Sequence, residues 1–398
     1  MGMEKRKMEK LGVETSLLGF GCMRFPVTED GKIDEAEAER MLDKAYAAGV
    51  NYFDTAYPYH GGESERVVGR VMKKYDRGTF YLATKLPCWE VKKVEDVDRI
   101  FEEQLNKLQT EYIDFYLMHA LNKDRFREMV EIGCIERLEQ LKAEGRIKYL
   151  GFSFHDGYSA FENIINYRDW DFCQIQLNYM DANDMDVIEQ AGIKGYKLAE
   201  EKQVPLVIME PVKGGSLAAF PEDITKMYHD LDPAASMASF ALRWVGSLPD
   251  VKVVLSGMST MEQVEDNLKT FGEFQPLSDE EKETIDKVVA LINSRVQNGC
   301  TGCGYCMPCP KGIDIPTTFR CYNRMYTENA KAGRFEYMQI TALQKDMSDV
   351  GKCVECGKCE SHCPQHLEIR KELKAAAGKL TPWYFRVGVK LMRLFKFW

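Results

Sequence analysis

Short apolar runs alternate with amphipathic stretches along most of the chain. Eight runs rich in Val, Ile, Phe and Tyr lie at 19–25, 51–56, 80–86, 113–120, 149–155, 172–178, 205–211 and 252–257. Their length and continuous apolar character are those of parallel strands buried on both faces. Between them, 34–48, 63–75, 94–108, 135–144 and 187–202 carry apolar residues at helical spacing. Gly49 and Gly145 read as C-caps of two of these helices. Eight strands alternating with helices predict an α/β fold of the (β/α)8 barrel type. An open doubly wound sheet would call for a glycine-rich first turn, and no G-x-G-x-x-G follows a strand. Residues 9–16, just ahead of the first strand, read as part of a small hairpin plug.

Beyond residue 276 the pattern changes. A Glu- and Lys-rich helix over 278–293 starts at Ser278, with Glu281 completing a capping box. Two cysteine ladders follow: Cys300, Cys303, Cys306 and Cys309 before Pro310, then Cys353, Cys356, Cys359 and Cys363 before Pro364. Eight of the 13 cysteines stand in these two stretches, which marks them as ligands rather than scattered core thiols. The second ladder has the spacing of bacterial ferredoxins, where three cysteines hold one cubane and the fourth, before proline, ligates its neighbour. Zinc knuckles would instead show paired Cys-x2-Cys or Cys/His motifs. The reading is two [4Fe–4S] clusters with crossed ligation: Cys300, Cys303, Cys306 and Cys363 on one, Cys353, Cys356, Cys359 and Cys309 on the other. The first ladder has two residues rather than three before Cys309, which leaves Cys321 as an alternative fourth ligand. Residues 310–352, mostly helical in pattern, fit a helical ferredoxin module rather than the compact bacterial fold.

The expected organisation is a barrel over 1–294, an iron–sulfur domain over 295–375 and a basic amphipathic tail over 376–398. The tail helix is expected past a glycine break at Gly378, starting at Thr381 and Pro382. Arg386, Lys390 and Arg393 share one face opposite apolar and aromatic residues. That arrangement suits a helix lying on a membrane surface, or one docked on a partner or on the protein itself.

Composition narrows the classes. Over 398 residues, 45% hydrophobic and 29% charged are ordinary values for a soluble globular protein. A net charge of −9 argues against nucleic-acid binding. The basic N-terminal segment leads into no apolar run, so no signal peptide is expected and a reducing cytoplasm is the expected location.

Active sites of such barrels form at the C-terminal ends of the strands. Asp54 and Tyr59 fall after the second strand, Lys85 at the end of the third and His119 at the end of the fourth. Carbonyl reduction needs this set. A tyrosine hydroxyl protonates the developing alkoxide, and a lysine cation lowers its pKa. An aspartate holds the lysine, and a histidine hydrogen-bonds the carbonyl oxygen. Singly, each has an ordinary structural reading, as a buried ion pair or a satisfied core histidine. Together, at successive strand ends, they point to chemistry.

These residues resemble the aldo-keto reductase family. NYFDTAYPY (51–59) resembles its aspartate/tyrosine motif, ATK (83–85) its lysine motif, DFYLMH (114–119) its histidine motif, and EGRIKYLGFS (144–153) its fifth-strand segment. With CTGCGYCMPCP (300–310), the chain resembles the branch carrying a C-terminal ferredoxin-like module. The resemblance implies NAD(P)H and a small carbonyl or alcohol substrate. It assigns the nicotinamide carboxamide to Ser153 and Gln176, with Asn178 on the same floor. Phe154 stands where the family has asparagine, Met209 where a tyrosine stacks on the nicotinamide, and Gly257 and Gln263 where basic residues grip a 2′-phosphate. Lys213, Gly214, Ser256 and Gly257 lie in the seventh and eighth loops, the usual phosphate site of such barrels, and Arg24 is a further candidate.

A hydride moves two electrons and a cubane takes one. Three arrangements therefore remain open. In the first, the clusters serve a redox partner or a structural role beside NAD(P)H chemistry. In the second, the barrel holds a flavin at the loop-seven and loop-eight site. In the third, the chain is a non-catalytic electron-transfer subunit, which the intact tetrad argues against.

Overall fold

The computed structural model describes residues 2–182, 190–300, 302, 304–342, 348–363 and 365–394. They form two compact units, one of Met1–Ala218 with Ala235–Lys282 and one of Ala219–Ala234 with Glu283–Trp398.

The first unit opens with an antiparallel hairpin of β1 (Lys5–Met8) and β2 (Val13–Ser16). Eight parallel strands then close into a barrel: β3 (Leu18–Gly21), β4 (Tyr52–Asp54), β5 (Tyr81–Leu86), β6 (Ile113–Leu121), β7 (Ile147–Phe154), β8 (Phe172–Gln176), β9 (Leu206–Met209) and β10 (Val251–Gly257). Each pairs with the next, and β10 closes on β3. Every expected run overlaps one of these strands. The helices follow in the same way. Asp34 caps Glu35–Ala47 by accepting from the Glu37 amide at 3.1 Å, and Gly49 and Gly145 end two helices at φ 97° and 79°. The expected helix over 187–202 is observed as Gly192–Glu201, and residues 187–189 lie outside the described residues.

Two apolar layers result. Faces turned outward pack under the helices, while Tyr52, Ala83, Phe115, Leu117, Phe172 and Val253 fill the barrel interior. Met8, Leu11 and Val13 of the hairpin join that interior cluster, and the Tyr149 hydroxyl donates to the Leu11 carbonyl at 3.5 Å. The hairpin thus stoppers the N-terminal end of the barrel. Gly151 on β7 is a close approach: a Cβ there would stand 2.6 Å from the Phe172 carbonyl oxygen.

The helix Asp279–Ser294 leads from the first unit into the second. Ser278 and Glu281 form the reciprocal capping box, with the Glu281 amide donating to Ser278 Oγ at 3.2 Å and the Ser278 amide to Glu281 Oε2 at 2.7 Å. The helices Ile315–Thr327, Ala330–Tyr337 and Ile369–Leu380 enclose a small core of Ile313, Phe319, Tyr337, Leu373 and Ala376. Cys321 is fully buried in that core, and burial pushes its thiol up to about 12. It sits in the same apolar cluster that Cys300, Cys306 and Cys309 border.

Gly378 does not break the chain. It sits inside Ile369–Leu380, where one glycine costs about 1 kcal/mol and is tolerated. The break falls at Thr381-Pro382, because proline has no N–H to continue the ladder. The tail helix Trp383–Leu394 packs Phe385 onto the small core, buries Val389 and exposes Trp383, Tyr384 and Val387. Arg386 folds back to donate to the Thr381 carbonyl at 3.2 Å, whereas the side chains of Lys390 and Arg393 lie outside the described residues. Among the described residues no helix is long and apolar enough to cross a membrane.

Candidate active site and cluster cavities

The C-terminal ends of β4, β5 and β6 bring Asp54, Lys85 and His119 together, and the turn after β4 adds Tyr59. Lys85 is fully buried. Its Nζ donates to Asp54 Oδ1 at 2.7 Å, Asp54 Oδ2 at 2.8 Å and the Thr55 carbonyl at 2.7 Å. Those acceptors, together with the hydrogen bond Lys85 shares with Tyr59, fix the ammonium in direction. It lies 5.1 Å from the centre of the Tyr59 ring. Burial pulls Lys85 down, but the charges of Asp54 and Tyr59 outweigh it and hold the ammonium above its ordinary value. For Tyr59 burial wins: it pushes the phenol above 10.0, against the downward pull of Lys85. The lowering expected from the sequence is thus overridden by desolvation.

His119 is held well below 6.5, first by burial and then by the charge of Lys85. A neutral imidazole results, and its buried Nδ1 has no hydrogen-bond partner. Two rings bracket it, Tyr59 at 6.1 Å between centroids and Trp89 at 5.1 Å. Trp89 lies in the turn Cys88–Glu90 after β5 and went unnoticed in the sequence, although its place just past the Lys85 strand end is a signal.

A buried polar layer behind Lys85 was also missed. Glu65 is fully buried, accepting from Thr84 Oγ1 at 2.7 Å and Gln104 Nε2 at 2.7 Å. Gln104 Nε2 also donates to the Lys85 carbonyl at 3.0 Å, while Tyr116 donates to its Oε1 at 2.6 Å. This layer fixes the backbone that carries Lys85.

The residues assigned to a nicotinamide fall into two groups. Ser153 and Gln176 stand at adjacent strand ends, on β7 and β8, and both are buried. Ser153 Oγ accepts from the Ala120 amide at 2.7 Å and keeps its own proton to donate. Gln176 Oε1 is buried without a partner, so this floor fits a carboxamide. Asn178 is spent on its own turn, giving Nδ2 to Asp181 at 3.0 Å and accepting from the Met180 and Asp181 amides.

At the phosphate loops, Lys213 is ion-paired with Asp181. Gly214 and Gly215 take φ 65° and 102° with open space around them, and Ser256 Oγ accepts from Asn267 at 2.8 Å. Arg24 is exposed, and its stem fills the space over Gly257, where a Cβ would meet Arg24 Cγ at 2.8 Å.

In the helical unit the ladder cysteines line two cavities. Cys353, Cys356 and Cys359 share one with Cys309, while Cys300 and Cys363 share the other; Cys306 borders both. Cys303 lies outside the described residues. In both ligand loops the backbone alternates into the left-handed region, at Gly302 and Gly304 (φ 75° each), Glu355 (φ 53°) and Gly357 (φ 76°).

Residues 17–290 match the aldo/keto reductase family and residues 299–367 match the 4Fe-4S dicluster domain. The chain belongs to the aldo/keto reductase family, with a 4Fe-4S dicluster domain at its C-terminal side. It is 28% identical over 301 residues to the oxidoreductase YqkF of Bacillus subtilis, covering 67% of this chain and 90% of that one. It is 25% identical over 319 residues to L-galactose dehydrogenase of Arabidopsis thaliana, covering 73% and 94%. The holo form of an aldo-keto reductase from Bacillus halodurans superposes with a TM-score of 0.60 at 27% identity, covering 72% of this chain and 96% of that one. A Klebsiella pneumoniae aldo-keto reductase in complex with NADPH shares the fold at a TM-score of 0.59 and 21% identity, covering 73% and 96%.

Proposed function

We propose that the barrel interconverts a small carbonyl compound and its alcohol with NAD(P)H, and that the helical unit relays single electrons to a redox partner protein. The observation that carries this reading is the buried Lys85, held by both Asp54 oxygens beside the Tyr59 ring. NAD(P)H, when bound, supplies the hydride, and the clusters, when bound, supply one-electron carriers. Ser153 and Gln176 orient the carboxamide. Neutral His119 donates a hydrogen bond to the carbonyl oxygen, and Trp89 forms an aromatic wall that excludes water. As negative charge develops on that oxygen, the Tyr59 hydroxyl gives up its proton to complete the alcohol. Lys85, locked by Asp54, stabilises the phenolate left behind. In the reverse direction the same phenolate takes the proton back.

Cys300, Cys303, Cys306 and Cys363 hold one [4Fe–4S] cluster on this reading, and Cys309, Cys353, Cys356 and Cys359 the other. The working division is a barrel over 1–294, an iron–sulfur domain over 295–375 and a tail over 376–398 that offers its exposed aromatic face to a partner or a membrane surface. The reducing cytoplasm is the setting such clusters require.

Tyr59→Phe tests the chemistry. Turnover of carbonyl substrates should fall about 10²- to 10⁴-fold while nucleotide affinity, measured by fluorescence titration, holds. Wild-type turnover in the variant refutes the assignment. A flavin spectrum in the purified protein, with no nucleotide binding, moves the barrel to flavin chemistry instead.

A further inference from the structure

The two cluster cavities share Cys306 and Ile315 and differ in the charge of their described walls. Lys311, Glu355 and Arg370 line the cavity of Cys309, Cys353, Cys356 and Cys359. The described wall around Cys300 and Cys363 is uncharged, with Ile315, Phe319, Leu367 and Ile369 beside Gln365.

Arg370 is fixed in place. Glu360 accepts from its Nε at 2.9 Å, from Nη2 at 2.7 Å and from its backbone amide at 2.8 Å. The opposite edge rests on the ligand loop: Nη1 and Cζ lie 3.7 and 3.6 Å from the position a Cβ would take at Gly357. Gly357, between Cys356 and Cys359, takes φ 76°, and the guanidinium stands at ordinary van der Waals distance from it.

We propose, resting on the dicluster reading above, that Arg370 makes the cluster of Cys309, Cys353, Cys356 and Cys359 the more readily reduced of the two. An added electron raises the negative charge of a cluster. A fixed cation with N–H donors at its edge stabilises that charge, whereas an apolar wall disfavours it. Lys311 acts in the same sense. Glu355 opposes it from the cavity wall, and Glu360 opposes it from behind the guanidinium. Exposure of Cys356 adds to the contrast. An electron on the apolar-walled cluster therefore passes to its neighbour, oxidising the first by one electron and reducing the second by one, with no other reactant.

Redox titration of the full-length, anaerobically reconstituted protein, followed by electron paramagnetic resonance and iron analysis, tests this. Two midpoints are expected, and Cys356→Ser, which alters the signal of its own cluster, identifies the higher. Arg370→Gln should lower that higher midpoint by the equivalent of about tenfold in electron partition, about 59 mV for one electron, and leave the other in place. Arg370→Lys should restore most of the shift. Glu360→Gln, which removes the opposing charge, should move the same midpoint upward, and it carries the test alone if Arg370→Gln loses a cluster. Unmoved midpoints with full iron content, or a shift in the other cluster, overturn the inference and leave the dicluster reading intact. Iron for fewer than two cubanes overturns both.

Discussion

In the barrel, Lys85 meets three oxygen acceptors at 2.7–2.8 Å, and a second polar layer of Glu65, Gln104 and Tyr116 stands behind it. In the helical unit the described ladder cysteines are half-buried or exposed, and they line cavities. One region carries its electrostatics in side chains already paired with each other. The other arranges thiols around two cavities, with Lys311, Glu355 and Arg370 at the wall of one. The barrel site is thus preorganised by folding, while the helical unit depends on its clusters for much of its cohesion.

Chelating iron under air should break the comparison most severely. The helical unit, with its small core, should lose helical signal and become open to limited proteolysis, while the thermal transition of the barrel stays in place. Loss of both transitions together would show that the barrel is not self-sufficient.

Asp54→Ala probes the other side. It leaves Lys85 buried without its carboxylate, a change that typically costs about 3–5 kcal/mol. Denaturant unfolding should show that loss in the barrel alone, with the iron content of the helical unit unchanged.

Acid should reveal a smaller difference. His119 is kept neutral well below 6.5 in the folded barrel. As the pH falls past 6.5, the unfolded chain binds a proton that the folded barrel refuses. Barrel stability should therefore be full above 6.5 and fall by up to about 1.4 kcal/mol per pH unit below it. His119→Gln should flatten that decline in a pH series of urea midpoints.

The smallest effect concerns nucleotide choice. With Lys213 paired to Asp181, Arg24 is an exposed cation whose stem lies over Gly257 in the eighth loop. Binding should discriminate little between NADH and NADPH, and Arg24→Ala should shift the ratio by about threefold, within the ~1 kcal/mol of an exposed ionic contact. Titration of both reduced nucleotides at equal salt checks it.

The barrel was legible because buried parallel strands write themselves as continuous apolar runs, and its tetrad because the four residues sit at consecutive strand ends. The ladders were legible because ligand spacing is local. What stayed hidden depends on contacts between distant segments. Glu65 reads as an ordinary charge on an amphipathic helix, and only the approach of Thr84 and Gln104 shows it to be internal. Asn178 shared a strand with Gln176 in the sequence, yet β8 ends at Gln176 and Asn178 turns to cap its own loop. Gly378 misled because a lone glycine is a statistical helix breaker, while Pro382 is a steric one.

The hairpin at the base of the barrel has a consequence for traffic. With Met8, Leu11 and Val13 seated in the interior, that end offers no passage. On the proposed reading, a nucleotide and a carbonyl compound would both have to come and go at the strand ends, away from the stopper.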